Sequence, residues 1–165
     1  MLSQRLRLWF RRRIRPVNRS VALKQEIDFW RDRFLTGGLQ WQSDFRHRFN
    51  PDQPIQSHVA HYIDRLEVEC VHILDVGSGP LTRLGKKHPS KQLVITVTDL
   101  LAYEYDRLLA EFEIEPLVRT VYADAERLVD QFGHNAYNIV HGDNCIDHTV
   151  NPLQAIEQML AVSKP

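Results

Sequence analysis

Four polar clusters recur along the chain from residue 75 onward, each at the end of a short apolar run. They are Asp75 with Gly77 and Gly79; Asp99; Ala123-Asp124; and the run His141-Gly142-Asp143-Asn144 to Asp147-His148. An ionised carboxylate accepts hydrogen bonds at both oxygens without competing donors, and an imidazole titrates near neutral pH. Such a set suits a hydroxyl-bearing ligand and the movement of a proton. Gly77 and Gly79 let the backbone reach positive φ and approach a ligand closely. Asp99 follows Gly77 by 22 residues, the distance at which a nucleotide-binding α/β fold places the acid that holds a ribose. The residues alone therefore point to a nucleoside cofactor.

These clusters need elements to position them. Apolar runs predict strands over about 70–76, 93–98, 117–122 and 137–142. Helical spacing predicts helices over about 81–88, 101–112, 124–132 and 152–162. Strict alternation with short connections implies parallel strands. Pro116 precedes the third strand, where a missing N–H costs little, and Asn151-Pro152 opens the last helix. The carboxyl ends of such strands form the mouth of the sheet. Core packing explains the strands but not why each ends in a carboxylate.

Upstream, residues 21–69 read as a helical lid or extension. Ser20 is a plausible N-cap for a helix that ends near Gly37-Gly38, with Leu23, Ile27, Trp30 and Phe34 as its stripe. Trp41, Phe45 and Phe49 suggest a second helix, and Ile55, Val59, Ile63 and Leu66 a third. Their aromatics either cover the cofactor mouth, with Trp41 or Phe45 against a base, or pack as plain core. His58 and His61 lie one turn apart with no third metal ligand apparent, so no metal is expected.

The chain has 165 residues, 43% hydrophobic and 25% charged, enough for one domain with a core. Net charge is zero, but residues 1–20 carry seven Arg and no acid, leaving a net of −7 on residues 21–165. An acidic body is not expected to bind nucleic acid. The basic arm, with Leu2, Leu6, Phe10 and Ile14 at helical spacing, reads as a solvated arm, as a membrane-surface helix over residues 1–15, or as a targeting or nucleic-acid segment. No apolar run approaches the ~20 residues of a spanning helix. A cytoplasmic location, or a peripheral one at a membrane surface, is expected. Cys70 and Cys145 are expected to be reduced structural thiols.

Taken in order, these motifs resemble the class I S-adenosylmethionine-dependent methyltransferases. The first is Leu74-Asp75-Val76-Gly77-Ser78-Gly79, the second Val97-Thr98-Asp99, the third Tyr122-Ala123-Asp124-Ala125-Glu126 and the fourth Tyr137-Asn138-Ile139-Val140-His141. The likeness covers about residues 70–165. It implies a Rossmann-like three-layer α/β sandwich with a parallel sheet of about four strands here, behind an N-terminal helical extension. The family's sheet has seven strands, so the likeness also implies a domain truncated after its fourth strand.

The resemblance implies S-adenosyl-L-methionine as cofactor. Gly77, Ser78 and Gly79 would make room for its methionyl part, and Asp75 would hold its ammonium. Asp99 would bind the ribose, with Leu100 against the adenine face and Ala123 and Asp124 at the adenine edge. Asp143 and Asn144 complete the cofactor set, and His148 is the candidate base. The acceptor would be a small molecule or a lipid-linked one. The fourth strand would be a bare edge through which the chain self-associates. One alternative is a non-catalytic cofactor-binding remnant or a subunit completed by a partner. Another is a nicotinamide-dependent oxidoreductase, whose fingerprint wants a third glycine where Thr82 stands.

Overall fold

The computed structural model describes residues 19–165. The readings made of the basic arm fall outside the described residues. Three helices come first: α1 (Arg19–Thr36), α2 (Gln42–Arg48) and α3 (Ser57–Ile63). Then follow β1 (Cys70–Val76), β2 (Gln92–Asp99), α4 (Ala102–Glu111) and β3 (Thr120–Tyr122). A 3-10 turn at Ala125–Arg127 leads into α5 (Leu128–Phe132), β4 (Ile139–Gly142) and α6 (Pro152–Val162). Among these residues no helix is long and apolar enough to cross a membrane.

The four strands form one parallel sheet in the order β3-β2-β1-β4. This is the α/β Rossmann-like arrangement expected from the alternation. The strand order steps one way from β1 to β3, then returns to the other side of β1 for β4. That reversal opens a crevice beyond the carboxyl ends of β1 and β4, where open α/β sheets bind ligands. On the outer side of β4, Tyr137 bridges in parallel to Ser163, so the chain after α6 begins to pair along that edge.

Strand β1 is buried on both faces. Val71 and Ile73 pack with Val59 and Ile63 of α3, while Leu74 and Val76 pack with Leu128 of α5 and Val162 of α6. Alternation of period two thus produces three layers from one strand. Helix α4 buries Ala102, Tyr105, Leu108 and Leu109, spaced to lie on one stripe. That stripe meets Trp30 and Phe34 of α1 and Phe45 of α2 in an aromatic cluster. Phe45 is therefore core, whereas Trp41 is half-exposed against Phe29. Asn151 caps α6 by accepting from the Gln154 amide, with Pro152 in the first turn.

Residues 81–88 do not form the helix that their spacing predicts. Their backbone groups go to a distant partner instead. The Lys86 and Lys87 amides donate to the Gln53 carbonyl, and the Lys87 carbonyl accepts from the Ile55 amide. Gly85 permits this close approach, since a Cβ there would lie 1.9 Å from the Pro54 carbonyl oxygen. The third strand is shorter than expected, and the helix expected at 124–132 is split into a 3-10 turn and α5.

Charge is buried under the aromatic cluster. Asp44 accepts from Arg33 at 2.9 Å and from Arg48 at 3.0 Å, and pairs with Arg83 at 3.1 Å. The Arg33 and Arg48 guanidinium carbons lie 4.9 and 5.2 Å from the Trp30 ring, a cation–π arrangement that offsets part of their desolvation. Burial lowers the Arg48 guanidinium to about 10, with Asp44 opposing the shift.

Candidate functional site

The site is built at the ends of β1 and β2. After Val76 the chain turns through Gly77 (φ +66°) and Gly79 (φ +68°), a conformation that side chains with a Cβ rarely adopt. The turn is clamped to its neighbours. The Ser78 amide donates to the Thr98 carbonyl at 3.0 Å, and Thr120 Oγ1 donates to the Gly79 carbonyl at 2.7 Å.

Asp99 closes β2, and each of its oxygens accepts one backbone amide: Gly79 at 3.0 Å and Leu101 at 2.9 Å. A carboxylate has about four acceptor positions, so about half of them take no hydrogen bond from the described residues, on a side chain whose orientation is fixed. Burial raises the Asp99 carboxyl, and the two amides oppose that shift. The Tyr105 hydroxyl is buried without a hydrogen-bond partner among the described residues, with the Asp99, Glu26 and Glu104 carboxylates around it. An oriented carboxylate beside an unsatisfied hydroxyl is a setting for a ligand that brings hydroxyl groups.

The Ala123 amide donates to the Asp99 carbonyl at 3.2 Å, which brings the end of β3 to the same edge. Asp124 follows and caps the 3-10 turn by accepting from the Glu126 amide. Leu100 is half-buried between them in sequence. The strand register therefore sets Asp75, Asp99 and Asp124 along one carboxyl edge, as the four polar clusters suggested.

Asp75 is buried near the carboxyl end of β1. Its Oδ2 accepts from Thr82 Oγ1 at 2.5 Å, and its Oδ1 lies 2.7 Å from His141 Nδ1. The pairing with His141 follows from the register, which sets Asp75 opposite His141 on β4. Asp143 forms an ion pair with Arg83. Asn144 is exposed at φ +53°, a conformation Asn tolerates. His148 is about half exposed, 3.7 Å from Asp147 Oδ2, and close enough to Asp99 to lower its carboxyl slightly.

The glycine turn receives side chains of this chain. A Cβ on Gly77 would lie 2.3 Å from Cys145 Cβ, and one on Gly79 would lie 2.5 Å from the Trp30 ring. Trp30 is buried and donates Nε1–H to Glu26 at 2.9 Å. Burial, with Asp75, Asp99, Asp147 and Asp143 around it, pushes the Cys145 thiol up to about 12, so it is an inert packing group at neutral pH. The acceptor positions of Asp99 could hold a ligand's hydroxyl groups, whereas the turn itself is covered by Trp30 and Cys145. Gly77→Ala combines a left-handed backbone with that clash and is expected to destabilise the fold by about 2 kcal/mol. Urea denaturation of the variant against the parent chain checks it.

Sequence reasoning gave no role to Thr82, Tyr105, Glu26 or Trp30. Tyr105 and Trp30 read as apolar stripe, and nothing in the sequence brings the Tyr105 hydroxyl within the electrostatic reach of Asp99. His141 did carry a signal: an imidazole inside an apolar strand, close to the strand's carboxyl end.

No family model and no curated protein sequence matches this chain. Among solved structures it is similar to a protein of Methanococcus maripaludis provisionally described as an S-adenosyl-L-methionine-dependent methyltransferase. The identity is 16%, the TM-score 0.46, and the match covers 64% of this chain and 49% of that one. It is also similar to the trans-methyltransferase CalH in complex with SAH, at 18% identity and TM-score 0.44, over 59% of this chain and 30% of CalH. The match thus spans about half of the first structure and under a third of the second. The fold assignment stands on the sheet itself, whose order and direction are described above.

Proposed function

We propose that this chain binds S-adenosylmethionine at the carboxyl edge of its sheet and serves methyl transfer. The observation that carries the reading is Asp99, held by the Gly79 and Leu101 amides with acceptor positions open beside the buried Tyr105 hydroxyl. A ribose presents two neighbouring hydroxyls, and an oriented carboxylate can accept both. Leu100, Ala123 and Asp124 would meet the adenine. Bound there, the cofactor supplies an activated methyl group on a sulfonium. The protein's share is to orient the donor, bring an acceptor in line and exclude water. The acceptor belongs to small molecules or lipid-linked molecules.

Calorimetric titration of the full chain with S-adenosylmethionine, S-adenosylhomocysteine and NAD tests the reading. Binding of the first two in the micromolar range, without NAD binding, is expected. NAD binding with no response to either adenosyl compound would replace methyl transfer by hydride transfer.

One observation favours a second reading, a non-catalytic or partner-completed cofactor-binding unit. Trp30 and Cys145 fill the turn that a methionyl group would follow. Cofactor binding that is never accompanied by loss of its methyl group, with a panel of acceptors, would support this form.

A further inference from the structure

We propose that Asp75 and His141 form a proton-accepting pair at the crevice between β1 and β4, serving an acceptor of the hydroxyl or phenol class. This assignment rests on the methyl-transfer reading for its reaction, but the pair itself is tested independently of it.

The geometry has three parts. Asp75 is 3% exposed, and Thr82 Oγ1 donates to Oδ2 while Nδ1 of His141 donates to Oδ1. The Thr82 oxygen also accepts the Leu84 amide at 3.0 Å, which directs its proton toward Asp75. The carboxylate is thereby locked. It holds the proton of neutral His141 on Nδ1 and leaves the lone pair on Nε2, the tautomer a general base requires. The His141 side chain retains 17% exposure near the carboxyl end of β4. His148, the base expected from sequence, is half-exposed; its ion-pair partner among the described residues is the exposed Asp147 at 3.7 Å, and the partly buried Asp99 carboxylate acts on it without a hydrogen bond.

The step balances with a sulfonium as methyl donor. The acceptor oxygen forms its bond to the methyl carbon, and the carbon–sulfur electron pair leaves on sulfur. The hydroxyl proton passes to Nε2 of His141, and the resulting imidazolium faces the Asp75 carboxylate. His141 is the catalytic residue here and Asp75 a positioning residue.

Several groups face His141. Asp75 comes from β1, Asp143 from the end of β4, Arg83 from the connection after β1, and the His58 ring from α3 at 6.3 Å. The hydrogen bond that His141 donates to Asp75 raises the imidazole above its ordinary 6.5, against burial and Arg83. Because the folded value is raised, the ion pair contributes stability fully below 6.5 and loses it as pH rises through the folded value. The free base predominates only above that higher midpoint.

Nitrogen-15 NMR of the imidazoles in the full chain tests the assignment, with His141→Asn used to identify the signal. A single titration with a midpoint above 6.5, Nδ1 protonated throughout, is expected. In Asp75→Asn the midpoint should fall. Saturating S-adenosylhomocysteine should shift the His141 resonances. A midpoint at the ordinary value in the parent chain overturns the pair, and that measurement decides even if Asp75→Asn does not fold. S-adenosylhomocysteine binding that leaves His141 unmoved overturns its place in the site. Absence of any binding, with the raised midpoint intact, instead counts against the cofactor reading and leaves the pair standing.

Discussion

Asp99→Ala is expected to weaken S-adenosylhomocysteine binding by about 10²–10⁴-fold. Two hydrogen bonds from ribose hydroxyls to a charged carboxylate are each worth about 1.5–3 kcal/mol, and a tenfold change corresponds to about 1.4 kcal/mol. The same substitution strips the acceptor from the Gly79 and Leu101 amides, so it also perturbs the turn. Asp99→Asn separates the two effects. It keeps one carbonyl acceptor for the backbone but loses the charge and half the acceptor capacity, and should retain the fold with an intermediate loss of affinity. Calorimetry reports the affinity, and a thermal melt reports the fold. Unchanged affinity in a folded Asp99→Ala chain would remove the ribose assignment and, with it, the main support for the cofactor.

Asp44→Ala is expected to cost about 3 kcal/mol of stability, because removing one partner of a buried pair leaves charge uncompensated. Arg33 and Arg48 are buried and share Asp44 as their carboxylate, with Arg83 beside them. Three cations would then face one another across the aromatic cluster. Burial alone would raise the Asp44 carboxyl, but Arg48, Arg33 and Arg83 together outweigh it and hold it below the ordinary 3.8. The contribution is therefore present above 3.8 and disappears as pH falls through the lower folded value. Urea denaturation at neutral and acid pH measures both effects. A chain whose stability is insensitive to the substitution would show that the arginines are held by their aromatic neighbours rather than by charge.

Much of the frame was legible because it depends on local rules. β1 and β2 announce themselves as apolar runs, and the glycine turn follows β1 at once. Asp75, Asp99 and Asp124 lie at strand ends by sequence position alone, and a parallel sheet must then gather them on one edge. Pro152 and Asn151 mark the start of α6 by capping chemistry. What escaped depends on distant partners. Residues 81–88 carry helical spacing, yet their amides serve Gln53 and their Thr82 serves Asp75. The link from Asp75 to His141 crosses 66 positions and exists only through the register of two strands. The covering of Gly79 by Trp30 likewise joins an upstream helix to a loop that sequence spacing leaves open.

That covering would set how a ligand arrives. A molecule lying along the glycine turn would bind only those copies of the chain in which the indole and the thiol have swung aside. Its apparent affinity is then the intrinsic affinity scaled by the open fraction, and its association at saturating concentration levels off at the rate of opening rather than rising with diffusion. Pulling α1 away from the sheet would uncover only Gly79, because the thiol over Gly77 is carried by the segment after β4.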